Sequence, residues 1–303
     1  MTTISAKVIA HSRCRISGKE IATLQLRYPR FIHAEFMTHR QFSRNASSSR
    51  AIPVSRLIED IRRDPAMPLY WGKNQKGMQA GGEINEPVTF SYPCQFDLFD
   101  NKPTAHTLVT FEREAAWLQA MEEALNIAQG FDRAGYHKQI VNRLLEPFSH
   151  INVVMTSTEF SNWFALRDHP DAEPHIAHLA REMREKLYLS DPMLLSVGEW
   201  HTPYVYASDE WGYDAPVSGE AADAAIKLSV ARCARTSYLT HDGRIPDMVE
   251  DLKLHDRLVG GDPLHASPAE HQATPDPYGE ARSQWGNFSH FKQYRKTLPG
   301  ECK

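Results

Sequence analysis

The chain has 303 residues, 41% hydrophobic and 24% charged, with a formal net charge of −4. That length can bury a sizeable core, and the composition is that of a globular protein. No apolar run approaches a membrane span, and an acidic balance without a broad basic surface argues against coating a nucleic-acid polymer. The first residues lack the basic and apolar regions of a signal peptide, so a cytoplasmic location is expected. Cys14, Cys94, Cys233 and Cys302 are scattered, which excludes a Cys-x-x-Cys metal ribbon and predicts free thiols.

In chain order, Lys7–His11 and Ile21–Arg27 read as two antiparallel strands around a Ser17-Gly18-Lys19 turn. A short helix over Phe31–Met37 delivers His39 and Arg40. Residues 53–63 read as a helix with Pro53 near its first turn. Residues 64–105 are rich in Pro, Gly and Asn and read as one irregular insertion. Helices follow over 107–130, 136–145, 157–167 and 173–189. Residues 190–216 read as loop, 219–237 and 247–259 as helices, and 288–295 as an alternating strand. The expected fold is α+β, an antiparallel sheet packed with a helical body in one domain over 1–303.

The chemistry concentrates in His39-Arg-Gln-Phe-Ser-Arg-Asn-Ala-Ser-Ser-Ser-Arg50. Arg40, Arg44 and Arg50 offer planar donors for phosphate oxygens, and Ser43, Ser47, Ser48 and Ser49 add hydroxyls. A solvated loop whose serines cap a helix is the plainer account of the serines alone. The interleaved arginines favour an anion grip. In His265-Ala-Ser-Pro-Ala-Glu-His271 the histidine spacing suits a metal poorly; a turn aiming Ser267 and Glu270 at a ligand and a helix start at Pro268 remain open alternatives. His169, His175 and His178 could begin a metal phosphohydrolase site, but paired Asp residues at useful spacing are missing, so no metal is expected. No Gly-x-Gly-x-x-Gly after a strand, P-loop or Gly-x-Ser-x-Gly elbow occurs.

Together these residues resemble the flavin-dependent thymidylate synthases. That family carries Arg-His-Arg, seven residues, then Ser, extended as Ser-x-Asn-x-x-Ser-x-Arg. Here the stretch is Thr38-His39-Arg40, seven residues, then Ser48, with Ser43, Asn45 and Arg50 in place. Asn162-Trp-Phe-Ala-Leu-Arg167 is similar to the family's Asn-Phe-Leu-x-Leu-Arg helix, and Val141-Asn-Arg143-Leu-Leu-Glu-Pro147 to its Ala-Arg-x-x-Leu-Pro segment. Cys233-Ala-Arg-Thr-Ser237 and His265–His271 match segments that the family places before the Arg-His-Arg motif. A circular permutation is therefore expected, and it requires Ser237, Ser267 and Glu270 to lie beside the His39–Arg50 loop.

The resemblance implies FAD held by His39, Arg40, Asn162, Ser237, Ser267 and Glu270. It implies a pyrimidine deoxynucleotide held by Glu35, Ser48, Ser49, Arg50, Arg143 and Arg167, with Arg167 and Arg40 as the catalytic pair. The implied reaction carries a one-carbon unit from methylenetetrahydrofolate to C5 of dUMP, giving dTMP, with NADPH as reductant, in a homotetramer with shared sites. The sequence departs from the family at Thr38, Glu35 and Ala46, where the family has Arg, Gln and Glu. Those departures leave open dCMP as substrate, a hydroxymethyl product, and, in another class, a nucleotide-binding protein without catalysis.

Overall fold

A computed structural model describes residues 3–97, 99–100, 102–205, 217–236 and 247–301. The chain divides into two compact units, one of residues 52–149 and one of residues 3–51 with 150 onward. The reading of 1–303 as a single domain meets this division because residues 54–148 close a core of their own.

That inserted unit holds α2 (Val54–Arg63), a hairpin of β4 (Val88–Phe96) and β5 (Pro103–Phe111), α3 (Arg113–Arg133), the short α4 (Lys138–Val141) and a 3-10 turn over Asn142–Phe148. Leu57, Ile58 and Ile61 of α2 meet Met121, Leu125 and Ala128 of α3, with Val141, Leu145 and Phe148 completing the core. The hairpin corrects the expectation of an irregular 64–105 and of a helix from Thr107. Residues 88–92 and 107–111 are mostly β-branched and aromatic, and Pro93 is tolerated because the ladder is irregular just there, between Pro93 and Gln95. The expected helix over 136–145 shortens to one α-turn and tightens into 3-10, with Pro147 inside it.

The other unit is built on a five-stranded sheet in the order β3-β6-β2-β1-β7. β1 (Ser5–Cys14) and β2 (Glu20–Pro29) form the expected hairpin, and Gly18 turns it at φ +66°, a backbone region that costs glycine nothing. β6 (His150–Ser157) pairs antiparallel with β2, and β3 (Ser43–Ala46) pairs antiparallel with β6 as an edge strand. β7 (Met193–Leu195) adds a short parallel edge beside β1. β6 escapes a period-2 reading because both of its faces are buried.

Strand alternation divides this sheet into two coated faces. On one, Ala22, Leu24, Leu26, Val153 and Met155 pack on Phe36 of α1 (His33–Phe36), Trp163 of α5 (Ser161–Arg167), and Ile176, Leu179 and Met183 of α6 (Pro174–Tyr188). On the other, Ile9 and Val154 meet Tyr204 and Cys233, the latter on α7 (Gly219–Ala234). α8 (Met248–Val259) starts at a capping box of Asp247 and Glu250 and lies on α7, where the buried Asp251 carboxylate takes Arg232 at 3.0 Å and also pairs with Arg235. The tail strand is shorter than expected: only β9 (Phe291–Gln293) pairs, with β8 (Ala273–Pro275), before the chain turns 3-10.

A polar track crosses the second face. Ser12 Oγ bonds His201 Nδ1 at 2.9 Å, His201 Nε2 bonds Thr23 Oγ1 at 2.8 Å, Thr23 bonds Thr156 at 2.6 Å, and Thr156 Oγ1 bonds His271 Nδ1 at 2.8 Å. Every member is buried. Burial pushes both imidazoles down to about 3. They remain neutral in the folded chain where an unfolded histidine would take up a proton.

Two outcomes are expected. Leu24→Ala in the central strand should lower the unfolding free energy by about 3 kcal/mol in a urea titration. Because the unfolded state binds more protons between about pH 6.5 and pH 3, stability should fall as pH drops through that window. His201→Gln should reduce the measured proton uptake on unfolding by about one.

Candidate active site

β3 gathers the sequence-remote motifs. Its residues 43 and 45 share one face, and Arg44 faces the other way. On the α7 face, Asn45 Nδ2 donates to the Cys233 carbonyl at 3.4 Å. Ser43 Oγ donates to Asn287 Oδ1 at 3.0 Å, and Gln293 Nε2 donates to Ser43 Oγ at 3.3 Å and to the Glu270 carbonyl at 3.1 Å. The 3-10 turn Ser267–Glu270 therefore packs against β3, with Ser267 exposed and the Glu270 carboxylate paired to Arg295. Ser267 and Glu270 thus lie on a turn next to β3. Ser237 lies outside the described residues; Thr236, just before it, has φ +55°, an uncommon conformation for a threonine.

On the opposite face, α1 ends at Met37 and the chain turns through Thr38, His39 and Arg40. Arg44 Nη1 donates to the Met37 carbonyl at 2.9 Å and to the His39 carbonyl at 3.0 Å, so it holds both sides of Thr38. Arg167, in the last turn of α5, donates from Nε to His39 Nε2 at 2.9 Å and reaches Thr38 Oγ1 at 3.5 Å. That geometry sets a tautomer. Nε2 accepts, so a neutral His39 carries its proton on Nδ1 and can donate there. Partial burial lowers the His39 pKa, and the Arg167 and Arg44 guanidiniums lower it further. Trp163 stands edge-on to the His39 ring at 4.6 Å, and Phe42 stacks with it at 5.9 Å.

Glu35 stands on α1 within the field of Arg167. Partial burial and the Glu173 carboxylate raise its carboxyl above the usual range, while Arg167 and His175 pull the other way. Arg40 and Asn162 are exposed. Beyond β3, Ser47 is fixed to Asn152 by a pair of hydrogen bonds, its N–H donating to the carbonyl at 2.8 Å and its Oγ accepting from the amide at 3.1 Å. Ser48 Oγ accepts from the Arg50 amide at 3.3 Å, Ser49 is buried, and Arg50 is exposed. Arg143 belongs to the inserted unit, where it pairs with Glu146 at 3.2 Å.

The histidine cluster disperses onto separate carboxylates. His175 takes Glu173 at 2.5 Å, His178 takes Glu182 at 3.9 Å and His169 takes Asp171 at 3.7 Å. Among the described residues no group of three or more His, Cys, Asp and Glu side chains could hold a metal ion, and no helix is long and apolar enough to cross a membrane. The sequence reading missed Gln293, Asn287 and Glu173 as supports. The first two lie some 250 residues from Ser43, and spacing carries no signal at that range.

No protein-family model and no curated protein sequence matches this chain. Among the solved structures that resemble it are those of the UMP/dUMP methylase PolB from Streptomyces cacaoi bound with 5-Br dUMP and with 5-Br UMP. Each is 14% identical, with a TM-score of 0.44; they cover 62% of this chain and 91% and 90% of their own.

The His39–Arg167 bond makes a direct prediction. Arg167→Ala removes both a neighbouring cation and the donor on Nε2, so the His39 imidazole should titrate at higher pH than in the wild type, toward its ordinary value of about 6.5. NMR of the ring protons against pH reads this; an unchanged titration would contradict the geometry.

Proposed function

We propose that the protein is a flavin-dependent enzyme that transfers a one-carbon unit to C5 of a pyrimidine deoxynucleotide, dUMP giving dTMP. The observation that carries this reading is the convergence on β3 of motifs far apart in the chain. His39–Asn45, Asn162–Arg167, Cys233 and Ser267–Glu270 meet around one edge strand. The same convergence supports a circularly permuted arrangement of the flavin-dependent thymidylate synthase type.

The residues present fit the polar rim and phosphates of FAD. Exposed donors on Arg40, Asn162 and Ser267 flank β3, and the neutral His39 offers Nδ1–H. His271 Nε2, next in sequence to Glu270, is buried without a partner among the described residues, a polar atom suited to a further acceptor or donor. When bound, FAD supplies the reducing hydride, with NADPH as its reductant and methylenetetrahydrofolate as carbon donor. The chain's own residues bind, orient and stabilise charge. Ser48, Ser49 and Arg50 hold the nucleotide phosphate. Arg167, fixed by His39 and Thr38, presents its guanidinium to the pyrimidine edge, where it stabilises negative charge developing on the ring. Arg143 keeps its assignment to the nucleotide through the resemblance alone, as Ser237 does to the flavin. A homotetramer with shared sites belongs to the same reading.

A related reading, modification of dCMP or hydroxymethylation, draws on Glu35. A carboxyl that protonates above the usual range beside Arg167 accepts from an amino group when ionised and donates to a carbonyl when protonated, so its preference follows pH, where an amide offers an acceptor and a donor at every pH.

The test begins with colour. Purified protein should bind FAD and show a flavin spectrum perturbed by dUMP or dCMP. Incubation with methylenetetrahydrofolate and NADPH should yield a C5-modified nucleotide by mass spectrometry. Arg167→Ala should lower turnover by at least about a hundredfold, the usual scale for removing a placed cation from a developing anion. A protein that cannot be loaded with FAD and makes no product would remove this reading in favour of nucleotide binding without catalysis.

A further inference from the structure

Arg44 occupies a position in the loop to which the resemblance gives no role. Its guanidinium is half-buried, and burial lowers its pKa. Nη1 serves both carbonyls around Thr38, which leaves Nε and Nη2 uncommitted among the described residues. Those two N–H groups form the side edge of the guanidinium, the edge that matches two oxygens of a phosphate. The carboxylate whose charge reaches Arg44, Glu270, is already taken by Arg295. A partly desolvated cation without its own anion is costly, and an oxyanion relieves that cost.

The charged groups that act on the two neighbouring imidazoles are guanidiniums. Arg44 and Arg167 both act on His39, and Arg44 and Arg30 both act on His33, whose imidazole is pushed down to about 4 chiefly by burial. Both imidazoles are thereby held neutral near pH 7, so neither adds charge of its own. Tyr28, hydrogen-bonded to His33 at 2.9 Å, is held in its neutral form, its pKa raised well above the ordinary value by burial. The positive charge around His39 and His33 is therefore made of guanidiniums, with the Glu35 carboxyl on the Arg167 side.

We propose that the free edge of Arg44, beside Arg167 and His39, is a second oxyanion site, distinct from Ser48–Arg50 and taking a phosphate or diphosphate group. Arg44 thereby supplies, from the edge strand, a positive charge next to the uncharged Thr38. The proposal rests on the preceding functional reading only for the identity of the molecule that carries the anion. A ligand with one phosphate on each grip, or two ligands with one phosphate each, satisfies both.

The experiment uses inorganic phosphate as the probe and the His39 ring signals, assigned with His39→Gln, as the readout. Phosphate should shift those signals saturably in the wild type. Arg44→Gln keeps a donor for the carbonyls and loses the charge, and should weaken the response about tenfold or more. Arg44→Lys keeps the charge and should stay closer to wild type than Arg44→Gln. Arg50→Gln, at the other grip, should leave the His39 response unchanged. Circular dichroism of each variant confirms the fold. Wild-type phosphate binding in Arg44→Gln, loss of the response in Arg50→Gln, or no response in the wild type would each overturn the second site. Protein that gives the Arg44-dependent phosphate response but binds neither dUMP nor FAD would retain this site and overturn the pyrimidine reading.

Discussion

The pairing of β3 with β6 decides which way residues 43–46 point. Ser43 stands opposite Thr156 and Arg44 opposite Met155. A slip of one residue would send Arg44 toward α7 and bring Ser43 and Asn45 to the α1 side. Every motif that meets at the site depends on that register. β3 has a ladder on one side only, so its placement relies on what its side chains hold: Asn45 the Cys233 carbonyl, Ser43 the Asn287 and Gln293 amides, Arg44 the end of α1.

The electrostatics of the site follow from the same placement. Strand alternation sends one guanidinium toward His39, and the last turn of α5 brings another. Two cations around an imidazole favour its neutral form, and the direction of the Arg167 bond then fixes which nitrogen carries the proton. A neutral histidine among arginines is a hydrogen-bonding element rather than a charge. The positive charge of the site is left to the arginines, and the histidine contributes direction.

Much of this was legible in the sequence. The β1–β2 hairpin, α2, α6, α7 and α8 announce themselves by turn residues, proline and helical spacing, and the density of Arg and Ser between His39 and Arg50 marks the loop. Other features were not legible, each for a physical reason. β6 is buried on both faces and shows no alternation. The β4–β5 hairpin contains Pro93, which reads as a breaker until the irregular ladder beside it is seen. The hold of Arg44 on the Met37 and His39 carbonyls is invisible locally, because carbonyls belong to every residue alike. Gln293 and Asn287 are equally silent, since their link to Ser43 exists only once the chain has closed around β3.

The hydrogen bonds between Ser47 and Asn152 have a wider consequence. The chain leaves the sheet just after β3 and re-enters it at β6, the neighbouring strand, so the two ends of the excursion are stitched together. Everything from residue 52 to 149 is topologically the loop of a hairpin. The entropy of closing a loop grows only with the logarithm of its length, so a tenfold longer excursion costs about 2 kcal/mol more. A pair of edge strands joined in this way is a natural port of insertion: segments can be gained, lost or exchanged there while the ladder that orients Arg44 keeps its register.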